Sequence, residues 1–319
     1  MVRVVRGTSI RAGTEILKSH MFKVSKYLAS GEFDKMKARL VADGRDQDPE
    51  LYPDKSSPMV ALHSVFTVLG MVASHKWRVT LKIDIKGAFL QTPMEGEPTY
   101  MKLDQRMSKY VVEMFPELKT LMEEDGCLYT LMLKAIYGCV QASALWYALI
   151  QRTLEAGGYA VSKTDHCVFR KINSERERIY LLLLHVDDIM ANIDREEAMT
   201  LKARLEKAFG TIQFEEGGRL SYLGMQLELR EEGTVVDMSF YAKQLLEGKE
   251  LKEASSPSTR RTFEVDEGSP LLGHEEKKYF HSTVAKLLFM VKRARPDLLT
   301  VVSFLFTRVQ GATQQDMDK

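Results

Sequence analysis

The sequence predicts an α+β fold, and three observations carry that expectation. Short β-rich runs alternate with segments of helical period, charged residues interrupt two of those runs, and the last third of the chain reads as mostly helical. Hydrophobic residues make up 45% and charged residues 28% of the 319 positions, the balance of a chain that buries a core in more than one subdomain.

In chain order, residues 36–42 (MKARLVA) alternate as a strand does, with Lys37 and Arg39 on one side and Ala38 and Leu40 on the other. The polar, Pro-marked connection DGRDQDPELYPDKSSP leads to residues 59–75, whose apolar spacing predicts a buried helix ending near His75 and Trp77. RVTLKIDIKGAFL is a β-rich run interrupted by Asp84, Lys86 and Gly87, and a charge inside an apolar strand needs a reason. Residues 128–137 predict another strand. Gly138 to Gln141 then lead into SALWYALIQRTLEAGG, a helix stopped by Gly157 and Gly158.

CVFRKI, the polar turn NSERER and IYLLLLHVDDIMANI follow. Apolar runs on both sides of Asp187 and Asp188 predict a β-hairpin tipped by the acidic pair. Asp194 is a helix N-cap with Glu197 three residues on, a capping box, and Gly210 closes that helix. Strand, helix, strand, strand, helix is the order of a ferredoxin-like sheet with its helices on one face. Beyond it, RLSYLGMQLEL and TVVDMSF flank the turn EEG as a second, smaller hairpin. Residues 240–251 and 275–294 predict helices, separated by a Ser/Pro/Gly-marked loop at 255–270, so the C-terminal part predicts a separate, mostly helical subdomain.

The net charge of +1 argues by itself against a phosphate-binding surface. Its distribution argues the other way, because residues 1–82 hold 14 Lys/Arg against 8 Asp/Glu. No apolar run approaches the ~20 residues of a membrane span. The basic start MVRVVRGTSIRAG lacks the apolar stretch of a secretory signal. Cys127, Cys139 and Cys167, odd in number and without CxxC spacing, predict free thiols in a reducing, intracellular setting.

Nucleotidyl transfer needs two divalent ions about 3.5–4 Å apart that clamp the attacking and leaving oxygens. Mg²⁺ takes only one or two protein carboxylates and fills its shell with water and phosphate. Asp84 in one strand and Asp187–Asp188 at a neighbouring hairpin tip are such a set. Alternatives stay open at this point: an acidic pair at a tip is also an ordinary solvated turn, and Asp84 is also able to cap a bend or pair with Lys86.

Eight segments, in order, resemble the blocks of copia-type retrotransposon reverse transcriptases: KARLVA at 37–42, SPMV at 57–60, KIDIKGAFLQTPMEGEPTYMKL at 82–103, LKAIYGCVQASALWY at 133–147, DHCVF at 165–169, LLLLHVDDI at 181–189, SYLGMQLEL at 221–229 and RARPDLLTVVSFL at 293–305. The resemblance implies a right-hand polymerase: fingers from 1–80 and 120–145, a palm from 81–119 and 146–232, and a thumb from 233–319. It implies Mg²⁺, with Mn²⁺ as the alternative ion, bound by Asp84, Asp187, Asp188 and the backbone carbonyl of Ile85. It implies RNA and DNA template–primer and dNTPs as partners, no membrane partner, and a setting in the cytoplasm, a virus-like particle or the nucleus.

Residue roles follow by position in the blocks. Lys37 and Arg39 match the cations that hold the incoming triphosphate, although a solvated strand face also explains them. Phe89 matches the aromatic that excludes a ribose 2′-OH, or is an ordinary core side chain. Gln141 matches the glutamine near nucleotide and template, or caps its helix. Leu223 and Gly224 resemble the primer-grip turn, where glycine also suits plain backbone geometry.

The family usually has Tyr or Phe before VDD, whereas this chain has His185, beside the primer terminus in the resemblance. The leading expectation is an active DNA polymerase. A catalytically silent relic that binds nucleic acid is the alternative, and a metal-dependent nuclease is a weaker third. The span of the blocks adds the expectation of a fragment, a separate reading frame or a decayed copy without RNase H, protease or integrase regions.

Overall fold

The computed structural model describes residues 2–27, 33–48, 50, 52, 56–72, 77–248 and 254–319. Up to the acidic hairpin the elements are β1 (Val2–Val5), β2 (Ile16–Tyr27), β3 (Phe33–Ala42), α1 (Leu62–Val72), β4 (Val79–Asp84), α2 (Ala88–Gln91), β5 (Tyr100–Leu103), α3 (Gln105–Met114), β6 (Leu128–Met132), α4 (Ala142–Glu155), β7 (Ala160–Val161) and β8 (Val168–Asn173). They continue with β9 (Arg178–His185), β10 (Asp188–Ile193), α5 (Arg195–Phe209), β11 (Gln213–Glu216), β12 (Arg219–Tyr222), β13 (Met225–Arg230), β14 (Gly233–Asp237), α6 (Ser239–Leu246), α7 (His274–Val291), α8 (Leu299–Arg308) and α9 (Gln314–Met317). Two compact units result: Met1–Val65 with Trp77–Glu215, and Phe66–Lys76 with Glu216–Lys319.

The first unit contains two sheets. One has the order β1-β6-β5-β2-β3, in which the long β2–β3 hairpin joins the rest through parallel pairing of β2 with β5. The other has the order β11-β4-β10-β9-β8-β7. Its four strands β11-β4-β10-β9, with α4 and α5 in the connections, reproduce the expected ferredoxin-like arrangement, and β8 and β7 extend the edge. Strand alternation puts Leu81 and Ile83 of β4 with Ile189, Ala191 and Ile193 of β10, all fully buried. Each of these Leu and Ile side chains contributes about 1.5–3 kcal/mol relative to exposure. α4 buries Trp146, Ile150 and Leu154, and α5 buries Leu201, Leu205 and Phe209. The opposite polarity of the same strands leaves Thr80, Lys82 and Asp84 facing Asn192, Met190 and Asp188 in register.

Several boundaries differ from the sequence-based expectation. The strand expected over 128–137 stops at Met132, because Leu133 and Tyr137 give their carbonyls to Met94 and Ala42 instead of a continuous ladder. Asp194 caps α5 by accepting from the Glu197 amide, but the Glu197 carboxylate does not close the capping box. It is taken by Lys171 at 2.8 Å and Tyr159 at 2.9 Å. The helix expected over 59–75 is α1, and its expected end near His75 lies outside the described residues.

In the second unit, RLSYLGMQLEL is itself a hairpin, so with β14 the expected pair becomes a three-stranded meander, β12-β13-β14. The turn that the hydrophobic pattern hides is Leu223–Gly224. α6 covers the front of the helix expected over 240–251, whose last three positions lie outside the described residues. α7 matches the expected 275–294 within a few residues, and α8 is an additional helix.

Candidate active site

β4 ends at Asp84 and β10 begins at Asp188, and the antiparallel register sets these two residues opposite each other. The Ile85 amide donates to the Asp187 carbonyl at 3.1 Å, which fastens the acidic turn to the strand carrying Asp84. Residues about a hundred positions apart are thereby held at one sheet edge. His185 and Asp188 pair across the hairpin and leave Val186–Asp187 as a two-residue turn. Val186 adopts φ 57, a left-handed conformation that β-branched residues rarely take. The indole N–H of buried Trp146 on α4 donates to the Val186 carbonyl at 2.6 Å.

Burial pushes the Asp84 carboxyl above its ordinary range, and the neighbouring negative charge of Asp187 pushes it further, against Lys82, Lys86 and Lys37. Burial likewise raises Asp188, opposed first by Lys82, whose Nζ lies 3.8 Å from Oδ1. Charge on His185 also favours the ionised form of Asp188. Among the described residues no three His, Cys, Asp or Glu side chains close on one point as a metal cage. Mg²⁺ asks for less, since one or two carboxylates hold it and phosphate completes the shell. The crowded, partly buried carboxylates of Asp84, Asp187 and Asp188 fit that requirement, because a divalent cation relieves the repulsion that raises Asp84.

Lys37 and Arg39 project from one face of β3. With Phe22, Val24, Val41 and Tyr137 they line a cavity of about 230 Å³. Arg39 stacks over the Tyr137 ring, 5.2 Å from its centroid, and Tyr137 meets Phe89 edge-on at 5.1 Å. Burial raises the Tyr137 hydroxyl pKa, with Arg39 opposing and Asp187 and Asp84 adding to the rise. Tyr137 therefore feels both the Arg39 cation and the two carboxylates. Phe89 sits on α2, which Gly87 starts with φ 65, and packs half-buried against the core.

Gln141 stands at the N-cap of α4, yet its side chain makes no capping hydrogen bond. Its Oε1 accepts from Gln47 Nε2 at 3.3 Å, while its own buried Nε2 has no partner among the described residues. Gln47 also accepts from the Val140 amide at 2.9 Å, so one buried side chain orders this loop. Asp165 of the DHCVF block accepts from the amides of Ala61 at 3.0 Å and Cys167 at 2.9 Å, tying the approach to α1 to the start of β8.

In the second unit, Leu223 (φ 50) and Gly224 (φ 79) form the left-handed turn between β12 and β13. Arg293 Nε donates to the Leu223 carbonyl at 3.1 Å, and its guanidinium lies 3.7 Å from the Phe289 ring centroid. A β-carbon on Gly224 would stand 2.9 Å from Phe289. The sequence reading gave no role to Trp146, Tyr137, Gln47, Phe289 or Arg293. Tyr137, Trp146 and Arg293 lie inside quoted blocks, but Arg39, Phe89, Val186 and Leu223, which they contact, are 40 or more residues away in sequence.

The profile of the reverse transcriptase (RNA-dependent DNA polymerase) family matches residues 25–261. The chain belongs to that family. The match agrees with the copia-type blocks. The chain is 28% identical over 287 residues to the retrovirus-related Pol polyprotein from transposon RE2 of Arabidopsis thaliana, covering 88% of this chain and 18% of that protein. It is 27% identical over 277 residues to the corresponding polyprotein from transposon TNT 1-94 of Nicotiana tabacum, covering 83% of this chain and 20% of that one. The chain thus spans about a fifth of the length of these relatives. Among solved structures, a foamy viral protease-reverse transcriptase in complex with double-stranded DNA aligns at a TM-score of 0.45 and 12% identity, over 97% of this chain and 42% of that one.

Proposed function

We propose that this chain catalyses template-directed DNA synthesis, in which a primer 3′-OH attacks the α-phosphate of a dNTP and pyrophosphate leaves. The observation that carries the reading is the strand register that holds Asp84 opposite Asp188 and ties Ile85 to Asp187. In this reading Asp84, Asp187, Asp188 and the Ile85 carbonyl hold Mg²⁺ or Mn²⁺. Two such ions, when bound, activate the 3′-OH and neutralise the leaving pyrophosphate.

The chain's own residues do the remaining work. Lys37 and Arg39 bind the triphosphate at the cavity they line, Lys37 as a point charge and Arg39 as a fork oriented by Tyr137. Phe89, braced by Tyr137, closes the space where a ribose 2′-OH would sit. Gln141 offers the free N–H of an amide whose oxygen is already engaged. His185 sits beside the primer terminus, and Leu223–Gly224 grips the primer. The assignment makes 1–80 and 120–145 fingers, 81–119 and 146–232 palm, and 233–319 thumb. The partners are RNA and DNA template–primer. Three buried free thiols suit a reducing intracellular compartment.

Primer extension on an RNA and a DNA template with dNTPs and Mg²⁺ or Mn²⁺ tests the reading, with Asp187→Asn/Asp188→Asn as control. Extension that the control loses supports it. Folded protein that binds primer–template yet never extends it sinks the reading and leaves a silent nucleic-acid-binding relic.

A further inference from the structure

Consecutive carbonyls of the acidic turn are held by two different elements. The Asp187 carbonyl accepts from the amide of Ile85, just past β4, and the Val186 carbonyl accepts from the Trp146 indole on α4. Trp146 is 1% exposed and wedged edge-on against Phe209 of α5, ring centroids 5.3 Å apart. Its ring therefore cannot swing away without opening the packing of both helices. Immediately before the first of these carbonyls in the chain, Val186 sits at φ 57, a conformation its own side chain disfavours. A strained residue persists only where its surroundings over-determine it.

We propose that Trp146 is the positioning residue of the acidic turn: its indole N–H holds Val186 in the left-handed conformation and so fixes where Asp187 meets Asp84. The inference rests on the polymerase reading above. α4 then serves the site twice, presenting Gln141 at its first turn and steadying the carboxylates from its second.

A buried tryptophan needs a hydrogen-bond acceptor in any protein, so the test must separate positioning from packing. Trp146→Phe keeps a ring against Phe209 and removes the donor. For primer extension, kcat is expected to fall about ten- to hundredfold, while KM for dNTP and primer–template affinity stay close to those of the unaltered protein. Mn²⁺ affinity, read by electron paramagnetic resonance without nucleotide, is expected to weaken by about tenfold or more. Adding Val186→Gly, which adopts a positive φ without help, is expected to restore part of both losses. A defect of helix packing alone would not respond to residue 186.

Unchanged kcat and Mn²⁺ affinity in folded Trp146→Phe overturn the proposal, as does a loss that Val186→Gly leaves untouched. If the unaltered protein never extends a primer but Trp146→Phe still weakens Mn²⁺ binding with rescue at residue 186, the polymerase reading fails and the positioning role stands. If Trp146→Phe does not fold, Trp77→Phe leaves Trp146 as the sole tryptophan of the two present. Saturable quenching of its emission by Mn²⁺, abolished by Asp187→Asn, then supports the proposal, and Mn²⁺ binding without quenching overturns it.

Discussion

Gly138→Ala should be one of the most damaging single-methyl changes in the chain. Gly138 has φ +92, and a β-carbon there would stand 2.0 Å from the Ala42 carbonyl oxygen and 2.6 Å from a Val41 methyl. Nonbonded contacts settle near roughly 3.5–4 Å, so the backbone must retreat by roughly an ångström or more. The left-handed conformation costs an alanine about 1–2 kcal/mol. Retreat of the Ala42 peptide also weakens its 2.8 Å hydrogen bond to the Tyr137 carbonyl, worth about 0.5–1.5 kcal/mol. Together with the contact itself, the expected loss is about 2–4 kcal/mol. In a unit of about 200 residues this lowers Tm by about 5–15 °C. Urea unfolding against a Gly96→Ala control isolates the close approach, because Gly96 has a similar φ of +86 with nothing within 4 Å. If the two variants lose equal stability, the reasoning from close packing is wrong.

Asp187→Asn is expected to stabilise the metal-free protein while abolishing extension. Burial and the Asp187 charge raise the Asp84 pKa, so the folded state holds that proton more tightly than the unfolded chain. The associated stability is present below the ordinary carboxylate pKa and is lost as pH rises through the folded value. Removing the Asp187 charge shrinks that loss, so Tm at neutral pH without metal is expected to rise, by an amount that solvent screening of the partly exposed carboxylate keeps small. A lower Tm without metal refutes the repulsion. Arg39→Ala should raise the dNTP KM by about ten- to hundredfold, the worth of a hydrogen bond to a charged group, with kcat less affected; steady-state kinetics showing an unchanged KM removes Arg39 from triphosphate binding. Phe89→Ala should admit rNTPs, so the dNTP-to-rNTP ratio of kcat/KM should collapse by about tenfold or more. An unchanged ratio returns Phe89 to the core. Arg293→Ala removes both the Leu223 hydrogen bond and the stacking on Phe289, and is expected to weaken primer affinity by about fivefold in filter binding; unaltered affinity separates this turn from the primer.

The acidic hairpin was legible because period and turn chemistry are local. IYLLLLHVDDIMANI declares a hairpin by its apolar flanks, and Asp194 followed by helical period declares an N-cap. The long strand β2 was not legible, because ILKSHMFKVSKY spreads lysines and a histidine among its apolar residues, and beyond its short pairing with β5 it pairs only with β3 and leaves Met21, Phe22 and Val24 exposed. α3 escaped although both of its signals are in the sequence: Asp104 caps it at the Met107 amide, and Met107, Tyr110, Val111 and Met114 recur at helical spacing. The clamp by Trp146 and the Gln47–Gln141 pair join positions 40 and 94 residues apart, and no local pattern encodes such pairs. The apolar run conceals the Leu223–Gly224 turn, which only the resemblance to the family's blocks points to, and the Leu223 carbonyl is engaged by Arg293, 70 residues on.

That last turn also constrains how this chain is able to drift. A β-carbon at 224 and the rim of the Phe289 ring would compete for one volume, their nearest atoms only 2.9 Å apart. The two positions are therefore sterically coupled. A library randomised at both should recover Gly224→Ala only beside a smaller residue at 289, and the two substitutions together should cost less than their separate effects imply.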